Sequence, residues 1–408
     1  MLVERALERE DVMQALTPAF TGGPEGRHYV CLAVGKAARG MAEAAARRLG
    51  SRIRDGLIIS SDAGAGAFPV LVGSHPVPTG NSEAAGRAAL RLAQSAAADE
   101  VFLVLLSGGA SALMAVPADG LVLSDKARTT EVLLKNGASI TALNCVRKHL
   151  SAIKGGRLAA ATSAQTLTLV ISDVVGDDLT VIGSGPTVAD TSTYRDALRA
   201  LDEHGGRQQF PAGVVSRLET GARGDVSETP KHIEGSASFA RVIGSRHEAM
   251  AGAAHEARAR GYSVHVEETA VVGEARVTAA RYMASAAGAA ADRPVCLISS
   301  GETTVHVTGA GRGGRNQEFA LACVDALGGS ETAAALASVG TDGVDGPTDA
   351  AGAVVDSSTL QRARAASLSP GHYLDNNDAY AFFAALGDLI QTGPTGTNVG
   401  DLQVILLA

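Results

Sequence analysis

One repeated phrase narrows the fold most: a short apolar run, then glycine with small polar residues, then an alanine-rich stretch of helical character. Tyr29–Val34 runs into Gly35-Lys36 and a helix to about Leu49. Val101–Leu106 runs into Ser107-Gly108-Gly109-Ala110-Ser111, and Leu167–Ile171 into Ser172-Asp173. Val295–Ile298 runs into Ser299-Ser300-Gly301-Glu302, and Leu336–Val339 into Gly340-Thr341-Asp342-Gly343. Continuous apolar strands alternating with helices indicate parallel sheets covered on both faces. The expected class is therefore α/β with mainly parallel sheets, and ligands in such sheets bind beyond the carboxyl ends of the strands. A chain of 408 residues exceeds what one core supports, since single cores stop growing near ~250–300 residues. Two domains are expected, with the polar, glycine-rich stretch Gly205–His232 as the weakly packed junction region. Helices are expected over Ser82–Ala97, Ile140–Leu150, His247–Arg260, Glu274–Ala291 and Gln317–Leu327.

Composition closes off several classes. The apolar fraction of 46% against 19% charged excludes an intrinsically disordered chain. The 48 glycines show no Gly-X-Y period, so they serve separate turns. A net charge of −8 without a basic block gives nucleic-acid binding no electrostatic basis. Cys31, Cys145, Cys296 and Cys323 lie far apart and read as small buried hydrophobes, not as a disulfide framework or zinc site. The uncharged run Val101–Ala118 reaches the ~18-residue length of a membrane span, but it contains Ser107-Gly108-Gly109 and Pro117 and reads as strand, turn and helix. Charges at Glu4 and Arg5 stand where a signal peptide needs an apolar core. The expectation is a soluble, cytoplasmic protein without a membrane partner.

The candidate chemistry sits in the turns. Lys36 falls at a helix start, where a cation is unfavourable unless an anion lies opposite; a solvated surface lysine is the plain alternative. It is not a P-loop lysine, because Val30 and Ala37 replace the required glycine and hydroxyl. Ser107, Gly108, Gly109, Ala110 and Ser111 offer backbone amides and hydroxyls to an anion, or simply a tight strand-to-helix turn. Arg147, Lys148, Lys154 and Arg157 flank Gly155-Gly156, and Arg147, Lys154 and Arg157 share a face if the helix persists. Asp173, Glu302 and Asp342 stand at strand ends, where carboxylates either hold Mg²⁺ or cap helices. Gly309, Gly311 and Gly314 fit the dinucleotide fingerprint and support a rival reading as an NAD(P)-dependent reductase. The acidic residue expected about 20 positions further on is missing.

In this order, Val34-Gly35-Lys36-Ala37-Ala38, His75-Pro76-Val77-Pro78, Leu106-Ser107-Gly108-Gly109-Ala110-Ser111 and Asn144-Cys145-Val146-Arg147-Lys148-His149-Leu150 form a recognisable series. It continues through Lys154-Gly155-Gly156-Arg157, Ser172-Asp173-Val174-Val175-Gly176-Asp177-Asp178, Ser300-Gly301-Glu302-Thr303-Thr304 and Gly313-Gly314-Arg315-Asn316-Gln317-Glu318. It closes with Gly340-Thr341-Asp342-Gly343-Val344-Asp345 and Gly393-Pro394-Thr395-Gly396-Thr397-Asn398. Over nearly the whole chain this resembles the class II glycerate 2-kinases, whose C-terminal part is the MOFRL domain. The resemblance implies a Rossmann-like kinase domain over 1–235 and an α/β MOFRL domain over 236–408, flanking a cleft. It implies ATP-dependent phosphorylation of D-glycerate to 2-phosphoglycerate with Mg²⁺, with Lys36 and Arg315 as catalytic cations facing each other across that cleft. On this reading Ser107–Ser111, Lys154 and Arg157 bind ATP, Arg147, Asn316 and Glu318 bind glycerate, and Asp173, Glu302 and Asp342 hold the metal. Assembly into a homo-oligomer is compatible with it. Thr79-Gly80-Asn81 depart from the family, many of whose members carry Asp soon after the second proline. The alternative is an NAD(P)H-dependent hydroxypyruvate reductase, a label attached to some close relatives.

Overall fold

The computed structural model of the chain describes residues 2–9, 26–233, 238–288, 294–329 and 333–408. The strands are β1 (Tyr29–Val34), β2 (Ile53–Ser60), β3 (Val70–Val72), β4 (Val101–Leu106), β5 (Gln165–Ile171) and β6 (Phe239–Gly244). They continue with β7 (Ser263–Val266), β8 (Val271–Glu274), β9 (Val295–Thr304), β10 (Ala334–Gly340), β11 (Gly352–Asp356), β12 (Leu389–Ile390) and β13 (Asp401–Leu407). The chain separates into two compact units, Met1–Ile243 and Gly244–Ala408. The boundary expected at 235/236 lies outside the described residues, as does the end of the helix expected to reach Ala291.

The first unit is an α/β layer structure around one sheet of order β3-β2-β1-β4-β5-β6. Every pairing from β3 to β5 is parallel. Strands β1, β4 and β5 are buried along their whole length, which is why each reads as an unbroken apolar run. Helices over Ala38–Leu49 and Gly80–Ser95 cover the sheet; the second starts with the Ser82 hydroxyl accepting from the amides of Thr79 (3.2 Å) and Ser74 (2.9 Å). The chain moves outward from β1 to β3 and then returns to lay β4 on the other side of β1. That reversal opens a crevice beyond the ends of β1 and β4, the switch point where open α/β sheets bind ligands. The run 101–118 resolves as β4, a turn and the short helix Ala110–Leu113. No helix among the described residues is long and apolar enough to cross a membrane.

The second unit carries a mixed sheet of order β12-β11-β10-β13-β9-β7, with β8 also on β9. The two α/β domains expected are present, and the parallel character expected for both sheets holds fully only in the first. In the second, β9 pairs in parallel with β7 and β8, while β13 lies antiparallel between β9 and β10. Consistent with this, β10 and β13 bury alternate residues more deeply, the signature of antiparallel pairing. Apolar side chains cover both faces: Val295 and Leu297 join one core, Cys296 and Ile298 the other. All four cysteines are buried and free, as expected.

The stretch Gly205–His232, expected as the weakly packed junction, belongs to the first unit instead. It contains the helix Ala212–Arg223, whose Val214 and Leu218, with Phe210, are buried against Leu133, Val146, Tyr194 and Leu201. Its apolar residues recur at a spacing of four, and the glycines and arginines between them hid that period. Leu218→Ala is therefore expected to cost about 2–5 kcal/mol, read as a lowered urea midpoint; a loss under about 1 kcal/mol would place this helix outside the core.

Candidate active site

At the switch point two loops lean on each other. Gly35 has a φ of 122°, and a Cβ there would lie 2.2 Å from the Ser107 Oγ, so only glycine lets the loops approach. The Lys36 amide donates to the Gly108 carbonyl (2.9 Å), and the Ala37 amide to the Ser107 Oγ (3.0 Å), which in turn donates to the Val34 carbonyl (3.3 Å). Lys36 thus leaves the end of β1 beside the glycine loop that ends β4. Gly109 takes the left-handed conformation with the His75 ring against it. The Gly108 and Gly109 amides donate to no group among the described residues. A Cβ on Gly108 would sit 1.9 Å from a carboxylate oxygen of Asp173, so this acid abuts the loop. The arrangement offers backbone donors, a lysine and a carboxylate within a single crevice, the parts an anionic ligand with a metal needs.

The basic series is less uniform than its spacing predicts. The helix Ile140–His149 stops before Lys154, and the chain returns through Gly155 and Gly156, both at positive φ. Lys154 is buried, and its ammonium donates to the Ser111 carbonyl (2.7 Å) and hydroxyl (2.6 Å), so it props the loop from behind. Burial, helped by Lys126 and Arg147, holds its pKa well below the usual lysine range. Arg157 lies elsewhere, lining a cavity of about 310 Å³ with Arg217, Asp119 and Glu228, and its Nε is buried without a partner. Arg147 is half-buried, and burial alone lowers its pKa. Lys148 is spent on Asp190 at 3.2 Å.

In the second unit Arg315 opens the helix Arg315–Ala322. Its Nε and Nη2 donate to the two oxygens of Asp401 (2.7 and 3.0 Å), and Nη1 to Glu302 (2.7 Å). Burial acts to lower its pKa, but Asp401 and Glu302 outweigh it, so Arg315 stays charged. Asp401 is fully buried, and burial raises its pKa although Arg315 and Asn316 pull it down. Asn316 and Glu318, expected on substrate, are buried and engaged within the unit. Asn316 donates to Asp401 (3.0 Å) and accepts from Ser338 (2.7 Å); Glu318 accepts from Arg276 (2.7 Å) and Asn377 (3.0 Å). Both brace the Arg315 helix, whose first turn is capped by Asp345 accepting from the Asn316 and Gln317 amides. Burial, with Asp401 adding to it, pushes the Asp345 carboxyl up to about 6 against those amide bonds.

Of the expected metal carboxylates, Asp173 flanks the glycine loop, Glu302 is paired with Arg315, and Asp342 accepts from the Val344 amide (3.1 Å). Among the described residues no group of three His, Cys, Asp or Glu side chains could hold a metal by itself. The glycines of the dinucleotide-type motif are filled by protein: a Cβ on Gly309 would meet the Asn376 carbonyl at 2.2 Å, and one on Gly311 the Asp378 Cβ at 2.3 Å. Nor does the following strand, β10, pair with β9, so the parallel βαβ unit that this fingerprint requires is absent. Sequence reasoning missed Asp401, which is 86 residues from Arg315. It also missed Lys126, although Lys126, Thr129 and Val132–Leu133 form the buried stripe of the helix Leu123–Lys135 at a spacing that could have revealed it.

Residues 1–219 match the family model described as a domain of unknown function, DUF4147, and residues 295–401 match the MOFRL family. A D-glycerate 2-kinase of Thermotoga maritima is 42% identical, over 93% of this chain and 90% of that protein. A protein of Agrobacterium vitis carrying a provisional hydroxypyruvate reductase name is 39% identical, over 100% of this chain and 93% of its own length. The crystal structure of a Thermotoga maritima glycerate kinase superposes with a TM-score of 0.84 at 39% identity, covering 100% of this chain and 98% of that one.

The buried Lys126 makes stability depend on pH. Burial, with Arg147 beside it, lowers its pKa to about 7, against ~10.4 for an unfolded lysine. Between those values the unfolded chain holds a proton that the native state lacks, so this group adds stability as pH rises from 7 and costs it below. Lys126→Met is expected to raise Tm at pH 6.5 and to lose that advantage by pH 9.5. An equal gain at both pH values, measured by thermal unfolding, would show that Lys126 titrates normally.

Proposed function

The chain belongs to the glycerate kinase family whose C-terminal part is the MOFRL domain, and we propose that it transfers the γ-phosphoryl group of ATP to the 2-hydroxyl of D-glycerate, giving 2-phosphoglycerate. The observation that carries this reading is the switch-point crevice, where Lys36 and two unengaged loop amides lie beside Asp173. Phosphoryl transfer is mostly positioning plus neutralisation of charge spread over the transferred oxygens. The Ser107–Ser111 loop cradles the nucleotide phosphates through its amides. Lys36 neutralises charge that grows on the transferred group. Arg315, held bidentate by Asp401, supplies the second cation with its remaining N–H groups aimed by a rigid partner. The glycerate hydroxyl gives up its proton to a carboxylate of the site.

Mg²⁺ suits a donor set of hard carboxylate oxygens with too few protein ligands to complete a shell, because such ions keep waters and bind through substrate phosphates. Asp173 would hold it, and the ion would screen the phosphate charges. Arg147 is assigned to the acceptor. We propose further that the enzyme works in the cytoplasm. The reductase alternative loses its support in the missing βαβ unit.

The test uses purified protein with D-glycerate and Mg·ATP, following ADP, beside hydroxypyruvate with NADH or NADPH. Phosphorylation without nicotinamide oxidation is expected, and the reverse would overturn the reading. Lys36→Ala and Arg315→Ala are each expected to lower kcat by ~10³ or more, about 4 kcal/mol of barrier. Arg315→Lys should not rescue, since one ammonium cannot span both oxygens of Asp401; wild-type turnover in any folded variant removes that residue from catalysis.

A further inference from the structure

In the first unit, the cavity of about 310 Å³ is lined by two arginines that make no ion pair among the described residues. Arg157 starts the short helix Arg157–Ala160, Arg217 lies on the helix Ala212–Arg223, and both are half-buried. Arg157 donates only from Nη2, to the Ser227 carbonyl at 3.5 Å, and its Nε is buried without a partner. Arg217 donates only to neutral oxygens: the carbonyls of His149 (3.3 Å) and Asp119 (3.0 Å) and the Tyr194 hydroxyl (3.5 Å). Two acids share the lining, and neither neutralises these cations. The Glu228 carboxylate is engaged by the Tyr194 amide (2.9 Å), the Thr229 amide (3.3 Å), Lys231 (3.3 Å) and the His149 Nε2 (3.1 Å). Asp119 is exposed and offers Arg217 its carbonyl, not its carboxylate. A buried donor without an acceptor costs free energy, and proteins ordinarily satisfy such groups. Two arginines left without an acid in one cavity point to an anion supplied from outside.

We propose that this cavity is a second binding site, separate from the switch-point crevice, for a small phosphate-bearing anion. None of Lys36, Gly108, Gly109, Ser111 or Asp173 lines it. Its volume stands at the low end of the ~300–1,000 Å³ of ligand pockets, which suits a compact ligand and not a nucleotide. Two guanidinium forks in one cavity favour phosphate over carboxylate. One fork takes up both oxygens of a carboxylate, whereas a phosphate has oxygens for both forks. Arg217 is fixed by its three neutral acceptors and meets the anion already oriented. Arg157 brings the idle Nε that the anion satisfies. Ala118, Ala152, Ala160, Ala161 and Pro230 supply small apolar surface for the carbon part of the ligand. The cavity also touches the support of the glycine loop without touching the loop. Ser151 lines it, and the Ser151 hydroxyl accepts from the amide of Lys154 (3.3 Å), whose ammonium holds Ser111. An anion bound here acts as an effector and is not consumed, so the site stands whether or not the crevice phosphorylates glycerate.

The test titrates glycerol 2-phosphate, with succinate as the carboxylate probe, into the full-length Lys36→Ala protein, whose crevice lacks its lysine, and follows the heat of binding and Tm. Glycerol 2-phosphate is expected to bind and raise Tm, and succinate to bind more weakly. Adding Arg157→Gln should weaken the phosphate binding ~10–100-fold, the span of one charged hydrogen bond. Ala160→Glu, a change at an exposed lining position that keeps both arginines, should weaken it comparably by bringing a carboxylate to the cavity. Mg·ATP should not displace the probe. Binding that survives both added changes would put the anion elsewhere. Displacement by Mg·ATP would make the cavity part of the nucleotide site, and succinate binding as tightly as the phosphate would remove the ligand class. Any of these results, or no binding at all to the Lys36→Ala protein, overturns the assignment.

Discussion

The first unit depends on how closely two loops can approach where β1 and β4 end. Sheet geometry puts those ends side by side, but only a glycine at 35 lets the Ser107 side chain stitch both loops together. A single hydroxyl links the Ala37 amide to the Val34 carbonyl. It therefore fixes where Lys36 leaves the sheet relative to the amides of Gly108 and Gly109. A second close approach, Asp173 against Gly108, adds a carboxylate to the same spot. The crevice is preorganised by backbone contacts, so any ligand that enters it meets a loop already ordered.

The protein handles its buried charge in two opposite ways. Around Arg315 the charges are paired: Asp401 and Glu302 meet the guanidinium, Asn316 braces Asp401, and Asp345 holds the helix that carries Arg315 and Asn316. Around Lys126 the balance is missing on the protein side. The first arrangement keeps a cation in one place at all times. The second relaxes by giving up protons, since burial holds Lys126 and Lys154 below the usual lysine range.

Much of this was legible in the amino-acid order. Tyr29–Val34 and Val101–Leu106 are observed as strands at the expected residues, because both faces are buried and no alternation blurs the ends. The glycine turns fall where expected for the same reason. The antiparallel centre of the second sheet was not legible, since alternate burial in Ala334–Gly340 is muted by four residues as small as alanine and glycine. Nor was the partnership of Arg315 with Asp401, which only the sheet brings together. The helix Ala212–Arg223 was hidden by a polar composition that its buried Val214 and Leu218 override. The spacing puts Lys154 on one face with Arg147 only if the helix continues; the turn at Gly155-Gly156 redirects it toward Ser111.

The position of β13 bears on how the chain is made. The first unit finds all of its sheet partners between Tyr29 and Gly244, so it can close as soon as that length has left the ribosome. The second cannot, because the strand between β9 and β10 is the last of its strands in chain order. Until Asp401–Leu407 arrives, β9 and β10 each show an open edge, and Arg315 lacks the carboxylate that orients it. The nascent protein thus acquires its lysine-bearing half first. Its arginine is locked in the closing step, so a chain stopped short of Asp401 would be made nearly whole and yet lack the carboxylate that holds Arg315 in place.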